Sequence, residues 1–288
     1  MWVILSLFSA LFSGTAWVLA KGASSADATG AIALRSISLL LFTLVYIGLF
    51  GSFNEFIAID KTALWSAVGA GLTASVGLVC YQQLIRHGLG RGAMLEKLSI
   101  VVIAGVEWLL FGVKWSFVGV IGLIFIVLGI VWMCLGKSTE VDKSRGMNDL
   151  WLIVGTVAFT AASSVLAKLA VGAVSAEIAL CYRTGVVMLA VVIWLIATRS
   201  LGCIRRIASA QRGLLVASGV SAGVAWLCYY FALSGGSASA VHGIDKMSVL
   251  VTSASGSIFF GERYSWRMKL GISGMVAGIL LWTLASYS

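Results

Sequence analysis

Two short stretches of the sequence place an acidic side chain next to a lysine inside an otherwise apolar run. Glu96 and Lys97 lie in MLEKLSIVV (residues 94–102), and Asp245 and Lys246 lie in GIDKMSVLV (residues 243–251). A charge in such a run is costly unless it faces a wet cavity or a partner of opposite charge. Two functions fit this pattern, because the charges can bind a charged solute or can pair with each other and hold helices together.

Two arginines occupy matching positions in the two halves of the chain. Arg35 directly follows the tripeptide Ile-Ala-Leu at residues 32–34, and Arg183 follows the same tripeptide at residues 178–180 after two further residues. Together with Lys97 and Lys246, they are the cations that fall inside apolar segments. We predict that all four bind a substrate. The alternatives are that the long side chains snorkel to the membrane surface or form purely structural ion pairs.

Charge and aromatic residues near these cations indicate what they would bind. Each half has one arginine and one lysine against a single acid, Glu96 or Asp245, which would set the orientation and charge of the lysines. The excess of one positive charge per half favours an anionic or zwitterionic small molecule. Tyr81 and Tyr229, which each follow a cysteine, are predicted to line the same cavity, and the alternative for them is core packing.

A further acid, Glu107, has no duplicate, because Gly256 stands at its matching position. On one continuous α-helix, Glu107 would share a face with Glu96, eleven residues earlier. A single acid within a membrane helix is a candidate for proton coupling. Because Glu107 also lies near the predicted end of its helix, the alternative is that it reaches water.

The elements that must position these residues are membrane helices. Of the 288 residues, 60% are hydrophobic and 11% are charged, and the mean hydropathy is +1.03. Apolar runs of about 20 residues match a helix that crosses a bilayer. Ten such segments are predicted, at residues 2–21, 30–50, 63–84, 92–112, 116–136, 150–171, 175–198, 212–233, 239–260 and 267–286. The predicted fold class is all-α integral membrane, with ten transmembrane helices.

The ten segments form two similar sets of five. The matching sequences are Val-Leu-Ala-Lys at 18–21 and 165–168, Cys-Tyr at 80–81 and 228–229, and Phe-Gly at 111–112 and 260–261. We predict a first five-helix repeat at residues 1–136, a polar linker at 137–149 and a second repeat at 150–288. Because five spans reverse the direction of insertion, the repeats should be inverted, as in many secondary transporters.

The distribution of Lys and Arg predicts the orientation in the membrane. Thirteen of them fall in connections after odd-numbered segments, and three, Lys61, Lys114 and Lys168, fall in the other connections. Positively charged connections favour the cytoplasm, so this bias places both termini outside it. We expect a multi-pass protein of the inner (plasma) membrane.

Several other classes are disfavoured. The net charge of +9 is better explained by topology and lipid contact than by nucleic acid. The five cysteines include no CxxC pair, and no HExxH motif is present. The stretch GVSAG at residues 219–223 matches GxSxG, but we interpret it as a small-residue pattern for helix packing. We therefore expect no cofactor, no metal site and no enzymatic activity. The chain contains no proline, whether by engineering or by selection, so helix bends are expected at its 33 glycines.

The end of the chain resembles a known family. KMSVL (246–250), FFGERY (259–264) and the last apolar helix from Gly271 to Gly278 resemble EamA-type members of the drug/metabolite transporter superfamily. The resemblance implies ten helices in two inverted five-helix repeats and covers nearly the whole chain. It also implies termini inside the cytoplasm, against the charge count. In the first half, Gly112-Val113-Lys114 replaces the family's Gly-Glu-Arg turn.

These observations predict a secondary transporter that moves small organic metabolites by alternating access, with a charged cavity between the repeats. The expected partners are the lipid bilayer and a small-molecule substrate, and the chain would act as a monomer or homodimer. One alternative is a flippase for an amphipathic or lipid-linked substrate. The other is a non-transporting membrane sensor or proline-free folding model.

Overall fold

The structure, a computed structural model, describes residues 1–23, 28–51, 59–86, 94–135 and 147–286, and these residues are helical almost throughout. The α-helices are α1 (Trp2–Gly22), α2 (Ala28–Phe50), α3 (Lys61–Arg86), α4 (Ser99–Phe111), α5 (Phe117–Leu135), α6 (Met147–Val171), α7 (Ala176–Ala197), α8 (Ser209–Gly235), α9 (Ala238–Lys246), α10 (Ser248–Phe260) and α11 (Trp266–Ala285). Short 3₁₀ turns cover Glu96–Leu98 and Leu201–Arg206.

Some of the sequence predictions concern residues outside this description. Residues 137–146, which make up most of the predicted linker at 137–149, are among them. The same is true of four of the thirteen cations used for orientation, namely Arg91, Lys137, Lys143 and Arg145.

Eight helices in the described part of the chain are long and apolar enough to cross a membrane. They are α1, α2, α3, α5, α6, α7, α8 and α11. Their outer faces expose many large apolar side chains, such as Leu41, Phe125 and Leu189. In water such exposure would be unfavourable, whereas lipid tails cover it at no cost. The protein is therefore a helical, multi-pass membrane protein.

The predicted fourth and ninth spans are not continuous α-helices, so this part of the sequence prediction was wrong. A 3₁₀ turn at Glu96–Leu98 precedes α4, and Met247 interrupts the ninth span between α9 and α10. At this break the N–H of Met247 donates to the carbonyl of Ile244, three residues back instead of four. α4 and α10 are each 13 residues long, about 20 Å at 1.5 Å per residue. Both acid–lysine stretches therefore lie at helix breaks.

Helices α5 and α11 pack tightly against each other through glycines on both sides. A Cβ atom added at Gly129 would lie 2.7 Å from the carbonyl oxygen of Gly271, and one added at Gly122 would lie 2.8 Å from that of Gly278. Only hydrogen fits at these positions, as in other tight contacts between membrane helices. Small residues at this spacing thus fix where the two helices cross.

Two more glycines bring the arginine-bearing helices close to their neighbours. A Cβ at Gly219 on α8 would lie 2.6 Å from the carbonyl oxygen of Arg35, and one at Gly71 on α3 would lie 2.8 Å from that of Arg183. Helix α2 therefore packs tightly on α8, and α7 packs tightly on α3. Both arginines are held at the backbone level in the interior of the bundle.

Candidate functional site

The acid of one acid–lysine stretch is paired with the lysine of the other. Lys246 Nζ donates a hydrogen bond to Glu96 Oε1 at 2.7 Å, and the two side chains are only 15% and 12% exposed. Both residues lie at the helix breaks described above, Glu96 in the 3₁₀ turn before α4 and Lys246 at the end of α9. Sequence neighbours therefore do not pair, and the ion pair joins the two halves of the chain.

The second acid and the first lysine have different surroundings. Asp245 Oδ1 accepts hydrogen bonds from Ser9 Oγ at 2.7 Å and Ser13 Oγ at 3.2 Å, both on α1. Lys97 is half-buried, and no carboxylate in the described part of the chain lies within ion-pair distance of its Nζ. Lys97 therefore supplies a positive charge that no direct salt bridge neutralises.

Each of the two arginines stacks on a tryptophan. The guanidinium carbon of Arg183 lies 3.8 Å from the ring centroid of Trp226, and that of Arg35 lies 5.0 Å from the ring centroid of Trp17. Such cation–π contacts fix the plane of a guanidinium and leave its edge free to donate. In both arginines the buried Nε has no hydrogen-bond partner within the described residues.

The two tyrosines complete the group. The ring of Tyr81 lies 6.0 Å from that of Trp17, and its hydroxyl is close enough to Arg35 and Glu96 to interact electrostatically. Tyr229 packs edge-on against Trp226 and is similarly close to Arg183 and Asp245. The structure thus brings all eight predicted binding residues into one network, which we call the central cluster. Its members are Arg35, Tyr81, Glu96, Lys97, Arg183, Tyr229, Asp245 and Lys246.

His242 belongs to this region, although the sequence analysis did not single it out. Its ring is 96% buried, with Nε2 at 2.9 Å from Ser99 Oγ and Nδ1 at 3.2 Å from Ser164 Oγ. The hydroxyl of Tyr229 lies 3.3 Å from the same Nδ1. One signal could have identified it, because His242 is the only histidine in a predicted span and lies one helical turn before Lys246.

Glu107 lies apart from the central cluster. It is 98% buried and accepts hydrogen bonds from the backbone N–H groups of Ala238 and Ser239, at the start of α9. The hydroxyl of Ser239 donates to the same carboxylate. The predicted access to water at a helix end is therefore wrong. The shared face with Glu96 was predicted for one continuous α-helix, whereas residues 96–98 form a 3₁₀ turn.

Lys168 is not the connection residue that the charge count assumed. It lies in the last turn of α6, and its Nζ donates to the carbonyls of Leu233 at 2.6 Å and Gly236 at 2.9 Å. Lys168 thus donates to carbonyl groups at the C-terminal end of α8, where the last carbonyls of a helix lack partners within it. The negative charge of Glu107 also acts on it.

A second carboxylate–lysine contact lies at the turn between α10 and α11. Lys21, at the end of α1, donates to Glu262, and the hydroxyl of Tyr264 donates to the other carboxylate oxygen. Hydrogen bonds from Lys21 and Tyr264 hold the pKa of Glu262 below its usual value. Gly261, with φ of +65°, adopts the left-handed conformation that ends α10 and directs the chain to Glu262.

A cleft of about 100 Å³ lies between α2, α3 and α7, and its lining residues include no member of the central cluster. Ile32 precedes Arg35 by three residues, and Val187 follows Arg183 by four, so the cleft borders the helical turns next to both arginines. Most of its lining is apolar, and Gln82 and Gln83 contribute polar groups. The cleft therefore lies about one helical turn from Arg35 along α2 and from Arg183 along α7.

Comparisons with known proteins identify the family and the fold. A model of the EamA-like transporter family matches residues 147–284. A protein from Sinorhizobium sp. called "Uncharacterized transporter in cobO 3'region" is 30% identical over 131 residues, which are 46% of this chain and 92% of that protein. A crystal structure with 13% sequence identity superposes with a TM-score of 0.77 over 99% of this chain and 97% of the other, and this likeness shows the fold. Together with the membrane helices, these matches show that the chain belongs to the EamA-like transporter family of the drug/metabolite transporter superfamily.

Proposed function

We propose that this protein is a secondary transporter for small anionic or zwitterionic organic metabolites, and that the central cluster is its binding site. The observation that carries the proposal is the state of the two arginines. Arg35 and Arg183 are each oriented by an indole ring, and each has a buried Nε that lacks a hydrogen-bond partner in the described residues. A buried unpaired donor is costly, and a carboxylate would satisfy it through a charge-assisted hydrogen bond.

The balance of charge supports the same substrate class. The central cluster contains four cations and two carboxylates, one of which, Glu96, is already paired with Lys246. Asp245 accepts from two serines, and Lys97 makes no direct salt bridge with any carboxylate among the residues that the structure describes. The site therefore has an excess of positive charge when all groups are ionised. An anion reduces that excess, whereas a cationic drug would increase it.

We further propose that residues 1–136 and 150–288 are two inverted five-helix repeats joined by residues 137–149. The close glycine contacts support this, because they occur in matched pairs. Gly71 and Gly219 stand at matching positions and approach Arg183 and Arg35, which also match. Alternating access would then arise when one set of helices rocks against the other around the central cluster.

Broken helices at the centre support transport in preference to a purely structural role for the charges. In transporters, discontinuous helices place backbone and charged groups around a substrate site. Here both breaks coincide with the acid–lysine stretches, one at Glu96–Leu98 and one at Met247. For orientation we propose termini outside the cytoplasm, on the basis of the charge bias, which cysteine accessibility labelling would test.

A ligand screen tests the substrate class. The purified full-length chain is heated with amino acids, organic acids, nucleosides and cationic drugs, because a ligand that binds the folded state raises the melting temperature. We expect carboxylates or amino acids to stabilise the parent and to have little effect on Arg183→Gln. The matched control is Arg267→Gln, the same change at an exposed position of α11. Stabilisation by cationic drugs alone would overturn the proposal.

A flippase for amphipathic substrates is the second candidate, and the apolar cleft favours it. Ile32, Leu78, Val191 and Trp194 could cover a hydrocarbon tail while the arginines bind an anionic head. Flux separates the candidates. Transport of a soluble organic anion supports the metabolite transporter, scrambling of a fluorescent anionic lipid supports the flippase, and binding without flux supports a sensor.

A further inference from the structure

His242 connects four helices through hydroxyl groups alone. The ring lies on α9 and contacts Ser99 at the start of α4, Ser164 on α6 and Tyr229 on α8. A buried histidine that only packs in a core needs one donor and one acceptor partner. Here both ring nitrogens have partners, and all three partners are hydroxyls.

These hydroxyls allow the ring to exist in more than one protonation state. A hydroxyl can both donate and accept, so Ser99 can serve Nε2 with or without a proton on that nitrogen. Ser164 and Tyr229 can do the same for Nδ1. Either neutral tautomer and the doubly protonated ring therefore keep their hydrogen bonds. A buried site of this kind can gain or lose a proton without leaving a polar atom unpaired.

The charges around the ring couple its protonation to an anion in the central cluster. Lys246, on the same helix, and Lys97, from the 3₁₀ turn before α4, both act electrostatically on the imidazole. Asp245 and Arg183 act on the neighbouring hydroxyl of Tyr229. Like charges repel a third positive charge, and a bound anion cancels that repulsion. By linkage, a protonated ring must then bind the anion more tightly.

From this geometry we propose that His242 is the proton-coupling residue, and that the protein carries a proton together with its anionic substrate. The proposal rests on the proposed function. The proton comes from water on the side where the anion is taken up, forms an N–H bond with the imidazole, and returns to water on the other side. No electrons are transferred. This assigns to His242 the coupling role that the sequence suggested for Glu107.

Binding of anions with no titration of their own tests the linkage. Methanesulfonate, isethionate and sulfate stay ionised from pH 5 to 8, so any pH dependence of their binding comes from the protein. In the parent chain we expect at least one of them to bind more tightly at lower pH, by up to about tenfold per pH unit for one linked proton. We expect His242→Gln to bind the same anion with an affinity that does not change with pH.

Two controls keep the test decisive. His87→Gln changes the only other histidine of the sequence and should keep the parental pH dependence. If His242→Gln does not fold, proton entry into pyranine-loaded proteoliposomes after addition of the anion tests the parent directly. The expected result is acidification of the lumen that requires the anion.

The possible failures are distinguishable from those of the proposed function. If a sulfonate binds through Arg183 equally well at pH 5.5 and 7.5, the coupling proposal is overturned and the binding site stands. The same holds if His242→Gln retains the parental pH dependence. If none of the three anions binds or moves protons, both the anion site and the coupling proposal are overturned.

Discussion

Lys246 Nζ lies 2.7 Å from Glu96 Oε1, although the two residues are 150 positions apart in the chain. The pair joins the 3₁₀ turn before α4 to the last turn of α9. Two charges that are so little exposed are stable only as partners, because each alone would lose its hydration without compensation. The contact therefore holds both helix breaks in position next to the central cluster.

Removing one partner of this ion pair should destabilise the protein far more than removing both partners. Glu96→Gln or Lys246→Met alone leaves a buried charge and should lower the free energy of unfolding by about 3 to 5 kcal/mol. The double variant should recover most of that loss, because no charge is left unpaired. Reversible unfolding in detergent gives the free energy of unfolding of the parent, the two single variants and the double variant, which together form a double-mutant cycle. Additive losses in the double variant would show that the two side chains do not interact.

Glu107 should act as a cap of α9. Glu107→Ala removes the acceptor for two backbone N–H groups and one hydroxyl, and should cost about 1 to 3 kcal/mol of stability. Glu107→Gln keeps one acceptor oxygen and should cost less. Neither change should remove the pH dependence of anion binding in the folded fraction. A stable Glu107→Gln protein whose anion binding no longer changes with pH would instead support proton coupling by Glu107.

The glycine contact between α5 and α11 should tolerate no side chain. In Gly129→Ala the new Cβ would lie 2.5 Å from the backbone nitrogen of Met275, so the helices must separate. Gly105→Ala is the matched control, since nothing lies within 4 Å of its Cβ and alanine favours the helix by up to about 1 kcal/mol. We expect a lower melting temperature for Gly129→Ala and an unchanged or higher one for Gly105→Ala. Equal melting temperatures would contradict this packing.

Acid should release the contact between Lys21 and Glu262. The pKa of Glu262 is lowered in the folded chain, so its stabilising effect is present above the ordinary carboxyl value and is lost as the pH falls through the folded pKa. Because both side chains are partly exposed, the effect on stability should be small. Glu262→Gln should flatten the loss of melting temperature between pH 5 and 3. If the melting temperature of Glu262→Gln fell between pH 5 and 3 as steeply as that of the parent, this result would contradict the contact.

Much of the fold was readable from the sequence because the bilayer constrains it so strongly. Apolar runs of spanning length placed eight helices within a few residues, and the family resemblance was carried by KMSVL and FFGERY. The helix breaks at Glu96–Leu98 and Met247 were missed, because apolar periodicity does not distinguish a continuous helix from one whose hydrogen bonds shift by one residue.

The candidate site was predictable as a set of residues but not as a set of contacts. The duplicated charges identified Lys97 and Lys246. Only the folded chain shows that Lys246 pairs with Glu96, whereas Lys97 has no salt bridge within the described part of the chain. His242 was missed because a single histidine has no duplicate and its three hydroxyl partners come from distant helices.

The two halves also differ in a way that sequence matching alone could not explain. Gly256 occupies the position that matches Glu107, and Val113 occupies the position that matches Glu262. A Cβ added at Gly256 would lie 2.4 Å from Glu262 Oε2, so the carboxylate of Glu262 fills the space beside that glycine. Lys21 and Lys168 match each other, and each interacts with a carboxylate of the other half, Lys21 with Glu262 and Lys168 with Glu107. The two carboxylates do not stand at matching positions.

The most direct test of anion transport by the central cluster is solute counterflow in proteoliposomes. Radiolabelled carboxylates and amino acids are tested one at a time, with the parent, the double variant Arg35→Gln/Arg183→Gln and the control Arg267→Gln. We predict exchange of at least one anionic or zwitterionic solute, with an initial rate at least about tenfold lower in the double variant, as expected from the loss of charge-assisted hydrogen bonds. The control should exchange at the parental rate. Parental exchange by a folded double variant, or exchange of cationic solutes only, would contradict the assignment.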